Sequence, residues 1–102
     1  MVYKIKYHKL GNSTFLDNLD YLEQNWSKRL ISSYLDRIDK IIALIEINPE
    51  VFPKWKDNLI IRKVVIVKQI TMFYEIKKET INILLFWNNY QNPNNLIELL
   101  NK

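Results

Sequence analysis

The chain contains no cysteine and a single histidine, and these absences exclude several classes of protein. Without cysteine there is no disulfide framework and no thiolate chemistry, which is consistent with a reducing compartment. A cysteine/histidine zinc site cannot be assembled either, and we predict neither a metal nor any other cofactor. No apolar run approaches the roughly 20 residues of a membrane span, and the N-terminus lacks an apolar signal sequence. We therefore expect a cytoplasmic protein with no membrane partner.

Turn-forming residues are also scarce, since the chain has one glycine and three prolines in 102 residues. Few sharp turns predict long secondary-structure elements and few loops. This length fills one hydrophobic core and not two, so residues 1–102 are expected to form a single domain. A hydrophobic content of 48%, with 13% aromatic residues, is sufficient for a packed interior and argues against disorder.

The formal net charge of +4 is concentrated in the second half of the chain. Residues 1–53 contain seven basic and seven acidic residues, whereas residues 54–102 contain eight basic and four acidic ones. Most of the excess comes from Lys54, Lys56, Arg62, Lys63 and Lys68. A local basic excess fits an anionic partner, either nucleic acid or an acidic protein, but a solubilising surface gives the same pattern.

The first half of the chain predicts a strand followed by two helices. Residues 2–7 alternate apolar and basic side chains with the period of a half-buried strand. Asn12 or Ser13 is expected to cap a first amphipathic helix. Ser27 is expected to cap a second helix, which must end at Asn48-Pro49 because proline disfavours helical backbone in the residue before it. The short connection makes the two helices an antiparallel hairpin.

The second half predicts three strands and a last helix. Three apolar, β-branched runs lie at Ile60–Val67, Ile70–Ile76 and Thr80–Trp87, and Pro93 can open a helix. Links this short permit only antiparallel hairpins, so the strands form a meander. The predicted order is β-α-α-β-β-β-α, an α+β fold with a helical hairpin packed on one face of an antiparallel sheet. We expect function on the sheet face that the helices leave open.

Four local patterns in this order and spacing resemble the RelE/ParE superfamily of toxins from type II toxin–antitoxin modules, often labelled plasmid stabilisation proteins. The patterns are Tyr21-Leu22 to Trp26, Asn48-Pro49-Glu50 with Phe52-Pro53, Ile61-Arg62-Lys63, and Trp87-Asn88-Asn89-Tyr90-Gln91-Asn92-Pro93. The resemblance covers essentially the whole chain.

This resemblance implies a small cytoplasmic toxin that inhibits growth and is neutralised by a co-encoded antitoxin wrapped around it, with oligomers formed through that antitoxin. RelE-like members cut mRNA in the ribosomal A site, which is metal-independent catalysis. ParE-like members poison DNA gyrase, which is binding.

The resemblance also identifies departures from the RelE-like catalytic pattern. Such toxins place lysine and arginine on the central strands, an arginine after the last strand, and a tyrosine or histidine near the C-terminus. Arg62 stands where one strand cation is expected, but Thr71 or its neighbours stand where a phosphate-binding arginine is expected. The related motif Asp-Asn-Arg-Gln is replaced by Asn88-Asn89-Tyr90-Gln91. These losses favour a ParE-like toxin that acts by binding, with DNA gyrase as the candidate target. The alternatives are a ribosome-dependent endonuclease and a degenerate toxin that retains only antitoxin binding.

The candidate site residues fall into two roles. Arg62, expected to be exposed on the open sheet face, and Tyr90 are the candidates for catalysis or base stacking. Tyr90 would otherwise cap the sheet edge. The candidates for binding the target or a phosphate are Lys54, Lys56, Lys63, Lys68 and Gln91. Tyr74 is expected in the core, and His8 at the surface.

Overall fold

The computed structural model describes residues 2–101 and confirms the predicted α+β class and element order. In chain order the elements are β1 (Lys4–Tyr7), α1 (Lys9–Glu23), α2 (Lys28–Ile47), β2 (Lys54–Trp55), β3 (Asn58–Val67), β4 (Ile70–Lys77), β5 (Thr80–Asn88) and α3 (Pro93–Leu100). The sequence did not predict β2, which has only two residues. None of these helices is long and apolar enough to cross a membrane.

The strands form one sheet in the order β1-β5-β4-β3-β2. Its centre is the predicted meander, in which β3 pairs antiparallel with β4, and β4 pairs antiparallel with β5. At one edge, β1 pairs parallel with β5 in the register Lys4↔Thr80 to Tyr7↔Ile83. A parallel pair requires a long connection between its strands, and here the rest of the domain supplies it.

Helix α1 begins at Lys9, one turn earlier than predicted from Asn12 or Ser13 as its cap. The residue before the helix, His8, makes no capping hydrogen bond with its side chain. Gly11 therefore lies inside the helix, where it packs against β5, and a Cβ at this position would collide with the backbone oxygen of Ile83. The only glycine of the chain is explained by this close contact between helix and strand, and not by a turn.

Helix α2 begins and ends where the sequence predicts. The Ser27 hydroxyl accepts a hydrogen bond from the backbone N–H of Leu30 at 3.2 Å, and so satisfies one of the unpaired donors at the helix start. The helix ends at Ile47, directly before Asn48-Pro49. One face of α2 is buried through Tyr34, Ile38 and Ile45.

Both faces of the sheet carry apolar clusters. The larger cluster lies between the sheet and the α1–α2 hairpin, and includes Tyr34, Ile66, Met72, Tyr74 and Phe86. The second lies on the opposite face, where α3 contributes Leu96 and Leu100; the sheet side of this cluster consists of Trp55, Ile61, Phe73, Leu85 and Trp87. The face expected to be open is therefore partly covered by α3.

Polar side chains of α1 close the sheet edge beyond the end of β1. Strand β1 ends opposite Ile83, and Phe86 lies three residues farther along β5. The Thr14 hydroxyl accepts a hydrogen bond from the N–H of Phe86 at 2.9 Å, and the Asn18 amide donates to its carbonyl at 2.8 Å. Both groups of Phe86 are thus satisfied by a helix in place of a neighbouring strand.

Candidate functional site

Arg62 lies on the helix-facing side of β3, so its predicted exposure on the open face is wrong. It pairs with the fully buried Tyr74, and Val64, two residues along the strand, belongs to the core under the helices. The Arg62 guanidinium is part-buried and donates to the carbonyls of Phe52 at 2.7 Å and Glu50 at 3.3 Å. Arg62 therefore holds the loop between α2 and β2.

Tyr74 lies in the core, as predicted, and holds the same loop. Its hydroxyl donates to the backbone carbonyl of Pro49 at 2.7 Å. Burial raises the pKa of Tyr74 to about 12, while the nearby Arg62 charge lowers it by a smaller amount. The Asn48-Pro49-Glu50 pattern consequently has a structural explanation, since two side chains of the sheet hold this loop by its carbonyls.

The three other basic candidates at this edge are exposed. Lys54 lies in β2 and pairs with Arg62 of β3, and Lys56 lies in the turn that follows β2. Lys63 pairs with Phe73, which places its side chain on the face opposite to that of Arg62. Among residues 2–101, none of these lysines forms an ion pair.

The segment after β5 is built by asparagine side chains. The Asn88 side chain accepts a hydrogen bond from the N–H of Tyr90 at 2.9 Å, which forms an Asx turn. Asn89 accepts from the Thr71 hydroxyl at 3.0 Å and donates to the carbonyl of Lys68 at 3.1 Å. The backbone N–H of Asn89 donates to the backbone carbonyl of Gln69 at 2.7 Å. The end of β5 is thereby attached to the turn between β3 and β4.

This attachment brings Lys68, Tyr90 and Gln91 to the same end of the sheet, which we call the sheet-end surface. All three residues are exposed, and Tyr90 is 63% exposed. Gln91 lines a small cavity of about 220 Å³ between α1, β5 and α3. Tyr90 therefore does not cap the sheet edge by packing on it.

The predicted site residues form two separate groups. Arg62 and Val67, the last residue of β3, are five residues apart on an extended strand, about 17 Å, and Lys68 lies beyond Val67. Asn88 pairs with Ile70 and Arg62 with Tyr74, so Arg62 and Tyr90 are separated by about 13 Å or more along β4. The Arg62 guanidinium is held by the carbonyls of the α2–β2 loop, so the structure does not bring it together with Tyr90.

A groove that the sequence did not predict runs between α2 and β3. One part, of about 420 Å³, is lined by Trp26, Leu30, Tyr34, Arg37 and Val67 among others, and a second part, of about 320 Å³, includes Ile41, Leu44 and Val65. Arg37 and Lys40 line both parts. Their spacing of three residues on α2, which puts them on one helix face, is the signal that could have identified them.

Comparison with solved structures identifies the architecture. A chain from the chromosomal ParDE TA system from P. aeruginosa is similar, with a TM-score of 0.69 over 85% of this chain and 96% of that one. The two chains share a fold. The two sequences are only 9% identical, so the likeness is one of fold and not of residues. No protein-family model and no curated protein sequence matches the chain.

Within this fold, the departures from the pattern at positions 88 and 90 have different structural consequences. Asn88 can accept the Asx-turn hydrogen bond that an aspartate would accept, so the turn is kept without the negative charge. At position 90, tyrosine places an exposed aromatic ring where the resemblance implies a cation.

Proposed function

We propose that this chain is the toxin of a type II toxin–antitoxin module that inhibits growth by binding its target, for which DNA gyrase is the first candidate. In this proposal the toxin acts in the cytoplasm and is neutralised by a co-encoded antitoxin, with which it forms a hetero-oligomer. The likeness of its fold to a chain of a ParDE TA system supports the toxin assignment.

The observation that favours binding over RNA cleavage is the placement of Arg62. Metal-independent ribonuclease chemistry needs a base, an acid and several cations around one phosphate. The Arg62 guanidinium is engaged by two loop carbonyls and is remote from Tyr90. Removing one donor to a developing anion costs roughly 10²–10³ in rate, so a site without these groups would be a poor nuclease.

The sheet-end surface is our candidate for target contact. Tyrosine is enriched among the residues that contribute most to protein interfaces, and Tyr90 is exposed. It follows Asn89, whose side chain donates to the carbonyl of the exposed Lys68. The hydrogen bonds of Asn89 fix the turn and the strand end against each other. A rigid surface loses little conformational entropy on binding, which favours affinity.

The test is inducible expression of the chain alone and together with the product of the neighbouring reading frame. We expect growth arrest in the first case and rescue in the second. Purified protein should inhibit gyrase supercoiling, and Tyr90→Ala or Lys68→Glu should weaken that inhibition at least about tenfold. Lys4→Glu, a charge reversal on the exposed edge strand β1, is the matched control and should leave inhibition unchanged.

Two outcomes would contradict the proposal. Ribosome-dependent mRNA cleavage that is lost in Arg62→Ala would establish the endonuclease instead. A folded chain that arrests no growth, yet binds the neighbouring gene product, would establish a degenerate toxin.

A further inference from the structure

The small cavity between α1, β5 and α3 has an exposed rim and a buried floor. Asp17 and Gln91 are exposed, whereas Asn18, Leu85 and Trp87 are each at most 6% exposed. The cavity volume of about 220 Å³ is below the roughly 300–1,000 Å³ of a pocket for a drug-sized ligand. The cavity therefore suits a single side chain or a fragment of similar size.

The hydrogen-bond donors of two α1 side chains that line this cavity are already used. The Thr14 hydroxyl donates to the carbonyl of Leu10 at 2.6 Å. The Asn18 amide nitrogen donates to the carbonyls of Thr14 and Phe86, at 2.9 and 2.8 Å. A hydroxyl has one donor hydrogen and an amide nitrogen has two. Neither side chain therefore has a donor left for a ligand.

The hydrogen-bond acceptors in the same cavity remain available. Both hydrogen bonds of the Asn18 side chain are made by its nitrogen, which leaves its oxygen without a donor in residues 2–101. This oxygen is not fully enclosed, since the one enclosed side-chain oxygen or nitrogen without a partner in this range belongs to Tyr34. The side-chain amide of Gln91 contributes a second oxygen.

The charge of the cavity is negative, although the whole chain is basic. Asp17 is the one charged side chain that lines it, and Asp17 forms no ion pair in the described part of the chain. Thr14, Asp17 and Asn18 are three and four residues apart on α1, so one face of the helix presents them together. A carboxylate beside unpaired oxygens fits a cation with several N–H donors.

We propose that this cavity binds a guanidinium group, presented by an arginine side chain of a partner protein. A guanidinium is always charged and has five N–H donors in one plane, which matches Asp17 and the oxygens of Asn18 and Gln91. The ring of Trp87 adds an aromatic surface of the kind that a guanidinium favours. Gln91 also belongs to the sheet-end surface, so the proposal rests on the proposed function only where it assigns this arginine to the toxin's target.

Two other occupants fit these features less well. A phosphate group would be repelled by the Asp17 carboxylate, and the donors of Thr14 and Asn18 are not available to it. A hard metal ion such as Ca²⁺ requires about six to eight oxygen ligands. Within residues 2–101, no group of three histidine, cysteine, aspartate or glutamate side chains is placed to hold a metal ion.

The test uses a short peptide with a single arginine flanked by glycines, and a matched peptide in which citrulline replaces the arginine. Citrulline keeps the shape of the side chain and removes its charge. We expect the arginine peptide to bind at least about tenfold more tightly, as measured by NMR titration. The side-chain amide signals of Asn18 and Gln91 should shift with the arginine peptide.

Variants of the protein locate the site. Asp17→Asn removes the charge at an exposed position and should weaken binding at least about tenfold. Asp20→Asn is the charge-matched control, because Asp20 is an exposed residue of the same helix outside the cavity, and it should have no effect. Gln91→Glu adds a second carboxylate and should tighten binding by about three- to tenfold.

Equal affinity for the two peptides, or an Asp17→Asn variant that binds as well as the original chain, would overturn the proposal. So would the absence of binding at millimolar peptide, which would leave the cavity to water. Methylguanidinium that binds as tightly as the arginine peptide would assign the site to a free guanidinium compound and not to a partner's side chain. Guanosine monophosphate that displaces the arginine peptide would assign it to a nucleotide.

None of these measurements depends on toxicity. A chain that binds the arginine peptide but arrests no growth would reject the proposed function and retain this inference. A toxic chain that binds neither peptide would do the reverse.

Discussion

The two edges of the sheet are treated differently by the rest of the molecule. At the β5 edge, α1 follows where β1 stops, and Thr14 and Asn18 satisfy the backbone of Phe86. At the β3 edge, a two-residue strand and the carbonyl of Pro53 pair with the first half of β3, and the remainder faces a groove. Exposed strand edges invite pairing with other chains. Within residues 2–101, one edge is therefore closed by side chains of α1, and the other leaves part of β3 without a pairing strand.

The most damaging change to the closed edge should be Asn18→Ala. This side chain is buried and donates to the carbonyls of Thr14 and Phe86, so its loss leaves the buried Phe86 oxygen unsatisfied. We expect the free energy of unfolding to fall by about 2–3 kcal/mol, as measured by urea denaturation. Asn12→Ala, at an exposed position of the same helix, should change it by less than about 0.5 kcal/mol. Equal effects would show that α1 does not close the edge.

Gly11→Ala should be the next most damaging change at this edge. The added methyl group collides with the backbone oxygen of Ile83, and rigid backbone cannot yield as a side-chain tip does. Overpacking costs about 1–3 kcal/mol, whereas alanine gains about 1 kcal/mol of helix propensity over glycine. We therefore expect a net loss of up to about 2 kcal/mol in the free energy of unfolding, as measured by thermal denaturation. A stabilised variant would mean that α1 and β5 are farther apart than described.

Arg62→Ala tests the paired half of the β3 edge. The substitution removes two hydrogen bonds to loop carbonyls, and we expect a loss of about 1–2 kcal/mol in stability. Amide hydrogen exchange should accelerate in the loop between α2 and β2. Lys63→Ala, at the exposed neighbouring position on the other face, is the control and should be nearly neutral. If both variants were equally stable, Arg62 would be free for a role outside the fold.

The smallest effects should come from the two buried tyrosines, which differ in their hydrogen bonding. Tyr74 donates to Pro49, whereas the Tyr34 hydroxyl beside the open edge has no partner. Tyr74→Phe should cost about 1 kcal/mol near neutral pH, and Tyr34→Phe should be neutral or slightly stabilising. Denaturation curves of the free protein at pH 7 would compare them. A larger loss of stability for Tyr34→Phe than for Tyr74→Phe would contradict this difference in hydrogen bonding.

The raised pKa values of the same tyrosines predict that the folded protein loses stability in alkaline solution. Burial raises the pKa of both hydroxyls in the folded protein to about 12, above the ordinary value of 10.0. The unfolded chain therefore releases these protons first, and stability should be complete below about pH 10 and decline toward pH 12. Either phenylalanine variant should decline less steeply over this interval.

Much of the fold could be predicted because its signals are local. Ser27 and Asn48-Pro49 act on backbone within one helical turn, and α2 begins and ends beside them. The start of α1 was misplaced because Gly11 looks like a helix breaker locally, while its contact with Ile83 is between residues distant in sequence.

The candidate site was less predictable because it, too, depends on contacts between residues that are distant in sequence. Alternation placed Arg62 and Val64 on one face, but it does not state which face the helices cover. The signal for the covered face was Val64, an apolar residue two positions from Arg62 on the same face. Likewise, Arg37 and Lys40 gain significance only from their position beside an unpaired strand.

The sequence by itself determined the order of the elements, the ends of α2 and the antiparallel meander, since these follow from periodicity, capping and short links. Tertiary structure alone decided that β1 joins parallel to β5, that Arg62 turns toward the helices, and that one sheet edge is closed and the other open. Each of these depends on contacts between distant residues, which no local pattern encodes.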